Sequence, residues 1–213
     1  MKTVILIDAK NALFRFGWAH RYLSAEDGTK TGAVYGVINC MLRLRARYPS
    51  CTFVLVWDGA KPSNSWRGRL YDGYKSNRTG EKPAFIVETE AQIPLLKEII
   101  ELIGILQVSA TSVEADDVIG ILAMTCVRKG HKAIVYSMDK DFLQLMVHGV
   151  SVIRDVNKAA KLAPETDKSV QKLFRCNAKD VLFVRTFLRD ASDKIPPPMR
   201  GCGPVGEIGR AHV

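Results

Sequence analysis

Three short apolar runs, Val4 to Ile7, Phe53 to Trp57 and Ala133 to Tyr136, are rich in β-branched and aromatic residues and carry no polar alternation. Such runs predict strands buried on both faces. Between them apolar residues recur at helical spacing: first Val34, Val37, Met41 and Leu44, then Ile93, Leu96, Ile99, Ile100 and Ile103, then Val118, Ile121, Leu122 and Met124. Strands alternating with helices of this length predict an α/β fold, a mostly parallel sheet flanked by helices. Pro94, inside the second stripe, predicts a late helix start or a kink. Gly59 to Pro83 has no period, and loops of that length in compact domains are functional or disordered. From Thr166 onward the pattern predicts two short helices, to Phe174 and from Lys179 to Leu188, and then the turn-rich stretch Lys194 to Gly206.

Each predicted strand runs into an acid: Ile7 into Asp8, Trp57 into Asp58, and Met138 into Asp139, with Asp141 just beyond. The carboxyl ends of parallel strands line one edge of a sheet, so these side chains are expected to converge there. Glu114, Asp116 and Asp117 open a predicted helix, and Asp190 with Asp193 form a further group. Taken singly, each acid is as well explained as a helix cap or as a partner of the helix dipole. Taken together, five acidic groups at one edge either hold protons at raised pKa or bind cations. Oxygen donors without His or Cys suit Mg²⁺ or Mn²⁺. Two such ions about 3.5–4 Å apart are a common device for hydrolysing phosphodiesters.

Charge changes the picture next. The 213 residues carry 31 Lys and Arg against 22 Asp and Glu, a net charge of +9, so a chain that gathers acids at one edge is strongly basic elsewhere and attracts polyanions. The aperiodic loop supplies a candidate surface for them. Arg67, Arg69, Lys75, Arg78 and Lys82 are interleaved there with Tyr71 and Tyr74, cations for phosphates and rings for unpaired bases. Arg15, on the first predicted helix, is placed to reach the same edge. The 47% hydrophobic content excludes disorder and fibre, and no run approaches the roughly 18–20 apolar residues of a membrane span. No signal peptide or membrane anchor is expected. Cys40, Cys51, Cys126, Cys176 and Cys202 lack metal-site spacing and predict packing thiols in a reducing compartment. His20, His131, His148 and His212 are dispersed and form no nucleophilic constellation.

Six stretches in order resemble one family: Val4-Ile-Leu-Ile-Asp8 with Asn11 and Arg15, Leu55-Val-Trp-Asp58, Gly73-Tyr-Lys-Ser-Asn-Arg78, Val113-Glu-Ala-Asp-Asp-Val118, Ser137-Met-Asp-Lys-Asp-Phe142 and Asp190-Ala-Ser-Asp-Lys-Ile-Pro196. The family is the 5′-nucleases: the 5′-nuclease domain of bacterial DNA polymerase I, phage 5′ to 3′ exonucleases and flap endonucleases. The resemblance runs from residue 4 to about residue 204. It implies a PIN-like, resolvase-like core and a metal-dependent 5′ to 3′ exonuclease and flap endonuclease that leaves a 5′-phosphate. Asp8, Asp58, Glu114, Asp116 and Asp117 would serve a first Mg²⁺, and Asp139, Asp141, Asp190 and Asp193 a second, with Mn²⁺ able to substitute. Lys75, Arg15 and Asp139 would be catalytic. Arg15, Arg67, Tyr71, Tyr74, Lys75, Arg78, Gly201 and Gly203 would bind DNA, the two glycines as the turn of a helix-hairpin-helix that holds K⁺. The implied partners are DNA with 5′ flaps, forks or free 5′ ends, and RNA primers, met by a cytoplasmic monomer of a bacterium or a phage-infected cell.

The sequence departs from the family at Arg189 and Lys194, where the family carries Gly and Asn, and the second helix of the hairpin is missing. The expected organisation is a catalytic domain over residues 1–164 with an arch loop near 60–85, the start of a helix-hairpin-helix region over 165–206, and a tail over 207–213. Glu207-Ile-Gly-Arg-Ala-His-Val213 matches the translation of a common sequencing adapter, which predicts a natural chain that continues past about Gly206. Two alternatives stand beside the nuclease: a PIN-type endoribonuclease, which would not need the Gly73 to Arg78 stretch, and a DNA-binding module with a silent metal site.

Overall fold

The computed structural model describes residues 1–59, 65–76, 80–154, 162–187 and 193–196. Strand β1 (Thr3–Asp8) is the middle strand of a five-stranded sheet whose order is β3-β2-β1-β4-β5. On one side lie β2 (Cys51–Val56) and β3 (Leu106–Val108), and on the other β4 (Lys132–Tyr136) and β5 (Ser151–Ile153). All four pairings are parallel, with Ile5 opposite Phe53 on one flank and Ile134 on the other. The three apolar runs are thus the three inner strands, where both faces must be covered.

Alternate residues of those strands point into two cores. Helices α1 (Ala9–Ala19), α2 (Gly32–Arg47) and α5 (Ile93–Leu102) cover one face, packing Leu13, Val37, Leu44, Leu96 and Ile100 on Ile5, Ile7, Leu55 and Ile134. Helix α6 (Ala115–Arg128), the 3₁₀ segment Lys140–His148 and helix α7 (Asp167–Phe174) cover the other, packing Ile119, Phe142, Leu143 and Val170 on Leu6, Val54 and Val135. The remaining helices are α3 (Trp66–Leu70), α4 (Ala84–Glu90) and α8 (Val181–Phe187). No helix among the described residues is long and apolar enough to cross a membrane. Cys40, Cys51, Cys126 and Cys176 are not disulfide-bonded, and the first two are buried.

The structure refines the sequence pattern at several points. Pro94 sits in the first turn of α5, where its missing N–H costs nothing, so it marks a late start and not a kink. The third stripe is rotated: Ile119 and Ala123 are fully buried while Ile121 is 65% exposed, because small Ala123 carries the face that the larger residues were expected to carry. Strands β3 and β5, three residues each, were not expected, since a three-residue segment has no readable period and exists only as an edge pairing on β2 or β4. The aperiodic loop contains α3, started by the Ser65 hydroxyl accepting from the Gly68 N–H.

Helix α2 lacks a cap of its own, since Thr31 makes no side-chain cap bond. Buried Gln92, at the start of α5, supplies it from afar: its Oε1 accepts from the Ala33 N–H at 2.9 Å and the Val34 N–H at 3.3 Å. Gln92→Ala would leave both donors buried and unpaired, so it is expected to cost about 1–3 kcal/mol. The expected result is a lower urea midpoint with an unchanged slope.

Candidate active site

The chain builds β1, β2 and β3 outward on one side, then returns to the other side of β1 as β4 and β5. At such a reversal the loops leaving the two neighbouring strands part, and a crevice opens at their carboxyl ends. Asp8, the last residue of β1, and Asp139, three residues past β4, lie at this crevice. Asp8 is 6% exposed. One of its oxygens accepts from the Asn11 N–H at 3.1 Å, capping α1, and the other accepts from the Ser137 hydroxyl at 3.0 Å. Ser137 in turn accepts from the Asp139 N–H at 3.1 Å, and the Asn11 side chain accepts from the Met138 N–H at 2.9 Å. Asn11 and Ser137 thereby lace the ends of β1 and β4 together. Asp139 caps the 3₁₀ segment by accepting from the Asp141 N–H at 2.8 Å. Asp58, two residues past β2, accepts from the Ala115 N–H at 3.0 Å and brings the start of α6, with Asp116, to the same crevice.

The capping explanation and the functional one therefore hold for the same residues. Capping places the carboxylates, and their mutual repulsion makes the place unusual. Burial pushes the Asp8 carboxyl up to about 7, helped by the charges of Asp58 and Asp139 and opposed by the Asn11 and Ser137 hydrogen bonds. Burial, followed by the charges of Asp8 and Asp139, pushes Asp116 up to about 8, and Lys75 offsets only part of this. Among the described residues neither Asp8 nor Asp116 belongs to an ion pair.

The outer acids are held differently. Glu114, 5% exposed, accepts from the Tyr74 hydroxyl at 2.7 Å, the Lys75 ammonium at 2.7 Å and the Arg67 guanidinium at 3.2 Å. Asp117 accepts two bonds from Arg67, at 2.6 and 2.8 Å, and one from the Trp66 indole at 3.1 Å. Burial pushes Asp117 up, but the Arg67 and Trp66 bonds outweigh it and hold the carboxyl below its usual range. Burial and the bond to Glu114 push the Tyr74 phenol far above the usual tyrosine range. Lys75 also stands 3.8 Å from Asp193, whose backbone carbonyl accepts from the Lys75 N–H at 3.0 Å. This clamp keeps Lys75 at φ 51°, a left-handed conformation unusual for a residue other than Gly.

In the free chain several predicted site residues hold one another. Glu114 and Asp117 pair with the basic loop, because the loop folds back across the start of α6 and opposite charges at short range pair. Tyr74 is 7% exposed, with its hydroxyl on Glu114. Arg67 is occupied by carboxylates, whereas Tyr71 is exposed and reaches the Lys194 carbonyl at 3.5 Å. Arg15 is partly buried on α1, two turns beyond Asp8. Asp141 pairs with Arg185 of α8. Asp190, Arg78, Gly201 and Gly203, together with tail residues 207–213, lie outside the described residues. Among the described residues no three acidic, His or Cys side chains are gathered closely enough to hold an ion as they stand. The donor set at the crevice nevertheless fits a hard cation: four carboxylates, two of them reluctant to ionise because they are buried and surrounded by like charge. Sequence reasoning assigned no separate role to Ser137, Trp66 or Arg185; the signals for Ser137 were its place directly after the third apolar run and at the head of the stretch ending in Phe142.

The 5′-3′ exonuclease of Aquifex aeolicus is 32% identical to this chain over 208 residues, 98% of this chain and 68% of that protein. The 5′-3′ exonuclease of Buchnera aphidicola (subspecies Schizaphis graminum) is 30% identical over 196 residues, 92% and 65% of the two chains. The chain thus spans about two thirds of the length of these relatives. In fold it is similar to the flap endonuclease of bacteriophage T5 solved with DNA and metal ions, with a TM-score of 0.75 at 16% identity over 99% of this chain and 75% of that one. The profile of the 5′-3′ exonuclease N-terminal, resolvase-like domain matches residues 3–174, and the chain belongs to that family.

Proposed function

We propose that this chain is the nuclease part of a divalent-metal-dependent 5′ to 3′ exonuclease and flap endonuclease that hydrolyses phosphodiesters near DNA 5′ ends. The observation that carries the reading is the meeting of Asp8, Asp58, Asp116 and Asp139 at the β1/β4 crevice, with Asp8 and Asp116 held up to about 7 and 8. A crevice of mutually repelling carboxylates gains most from a small dication, and oxygen-only donors favour Mg²⁺, with Mn²⁺ as a substitute. Asp8, Asp58, Glu114, Asp116 and Asp117 would serve the first ion, and Asp139, Asp141, Asp190 and Asp193 a second. When bound, such ions lower the pKa of water and stabilise the leaving oxygen. Asn11 and Ser137 orient Asp8 and the Met138–Asp139 backbone, which holds the ends of β1 and β4 together while the carboxylates have still to close on an ion. Lys75 and Arg67, paired with acids in the free chain, are cations beside the start of α6 that can exchange a carboxylate for a phosphate.

The relatives named 5′-3′ exonucleases and the T5 flap endonuclease with its DNA and metal ions support this substrate class. We take the substrates as DNA with 5′ flaps, forks or free 5′ ends, and RNA primers. The cleaving unit is residues 1–164 and the duplex-gripping region begins at 165, with K⁺ at the hairpin if that motif is present in full, and the protein acts as a cytoplasmic monomer. The test is cleavage of an end-labelled 5′-flap DNA in Mg²⁺, with EDTA as control and single-stranded RNA alongside. Metal-dependent release of short 5′ products is expected. Cleavage of the RNA with the flap left intact would favour the endoribonuclease instead, and cleavage of neither would leave a binding module.

A further inference from the structure

Arg185, on α8, places Nη2 2.5 Å from Oδ1 of Asp141. The Asp141 N–H donates to Asp139, so the guanidinium sits one residue step from the crevice. Arg185 is 24% and Asp141 44% exposed at the side chain, which leaves the pair partly screened but reachable by a competing ion. The same arrangement recurs around the crevice: Arg67 is on Asp117, and Lys75 lies between Glu114 and Asp193. Among the described residues Asp8 and Asp116 have no such partner.

We propose that Arg185 is a tethered cation occupying Asp141 in the free chain, so that the crevice takes one divalent ion tightly and a second only by displacing the guanidinium. This rests on the metal-binding reading given above. A guanidinium and a dication compete for the same carboxylate oxygen, and Arg cannot yield by losing its proton. Displacement must therefore come from the incoming ion, and loading of the second position is weaker than that of the first. Because the pair is half-exposed, the handicap is moderate, between about threefold and tenfold in affinity. Arg185 is thus a positioning residue that touches neither strand nor reacting atoms.

The experiment is a titration of the EDTA-stripped chain, without DNA, with Mn²⁺ alone, following free Mn²⁺ by its electron paramagnetic resonance amplitude. The unaltered chain is expected to bind one ion tightly and a second weakly. Arg185→Met should tighten the second ion by about threefold to tenfold and leave the first unchanged, while Arg185→Lys, which keeps the charge, should resemble the parent. Asp141→Asn should weaken the second ion only. If Arg185→Met does not melt cooperatively, Arg185→Gln carries the same comparison. Identical isotherms for the parent and the neutral variant would overturn the role of Arg185 while leaving the metal site standing. Failure of the parent to bind more Mn²⁺ than Asp8→Asn would overturn the metal-binding reading, and this inference with it.

Discussion

Asp139→Asn is expected to lower flap cleavage by about 10²- to 10³-fold while DNA affinity stays within about twofold of the parent. The substitution separates charge from scaffold. Asp139 Oδ1 accepts from the Asp141 N–H, and an Asn amide oxygen at the same place accepts it equally well, so the start of the 3₁₀ segment is kept. What is lost is one of the negative charges that raise Asp8 and Asp116, and with it a donor for the cation. Strand contacts are untouched, and removing an anion beside a polyanion does not weaken their attraction. Cleavage of an end-labelled flap and fluorescence anisotropy of the same DNA, measured side by side, check this. Weakened binding with retained turnover would place Asp139 in the strand-binding surface instead.

The second large effect is a loss of stability with rising pH when divalent ions are absent. Asp8 and Asp116, ordinarily near 3.8, are held at about 7 and about 8 in the folded chain. Between about pH 4 and pH 8 the folded state therefore binds protons that the unfolded state has released, and unfolding releases them. The contribution is fully present below about pH 4 and is lost as pH passes 7 to 8. The two groups repel each other and titrate as a pair, so their shifts do not add; about 2–4 kcal/mol is expected between them, on the order of 5–15 °C in Tm. Asp117, held down by Arg67, has the opposite sign and loses its contribution only as pH falls below the usual carboxylate range. Calorimetry in EDTA from pH 5 to pH 8 should show the fall, and both Asp8→Asn and saturating Mg²⁺ should flatten it, because each removes the repulsion that the protons relieve. A Tm independent of pH in EDTA, or a slope unchanged in Asp8→Asn, would show that these carboxyls are not coupled as described.

How far the site was legible depends on the range of the forces involved. Val4 to Ile7, Phe53 to Trp57 and Ala133 to Tyr136 by themselves determined the inner strands, since an unbroken apolar run is stable only with both faces covered. The acids that end them determined which edge of the sheet is chemical, because parallel strands send their carboxyl ends the same way. The Arg67 and Asp117 pair, 50 residues apart, has no counterpart in any local pattern. Nor does the cap that Gln92 lends to α2. Hydrophobic burial follows a period of two or 3.6 and can be read along the chain, whereas an ion pair or a borrowed cap depends on where a loop happens to return. That Tyr74 and Arg67 meet Glu114 in the free chain follows from the return of their loop across α6, which no local pattern announces. The tertiary structure alone decided which acids already have a cation and which lack one, because Coulomb attraction depends on distance through space and not on separation along the chain.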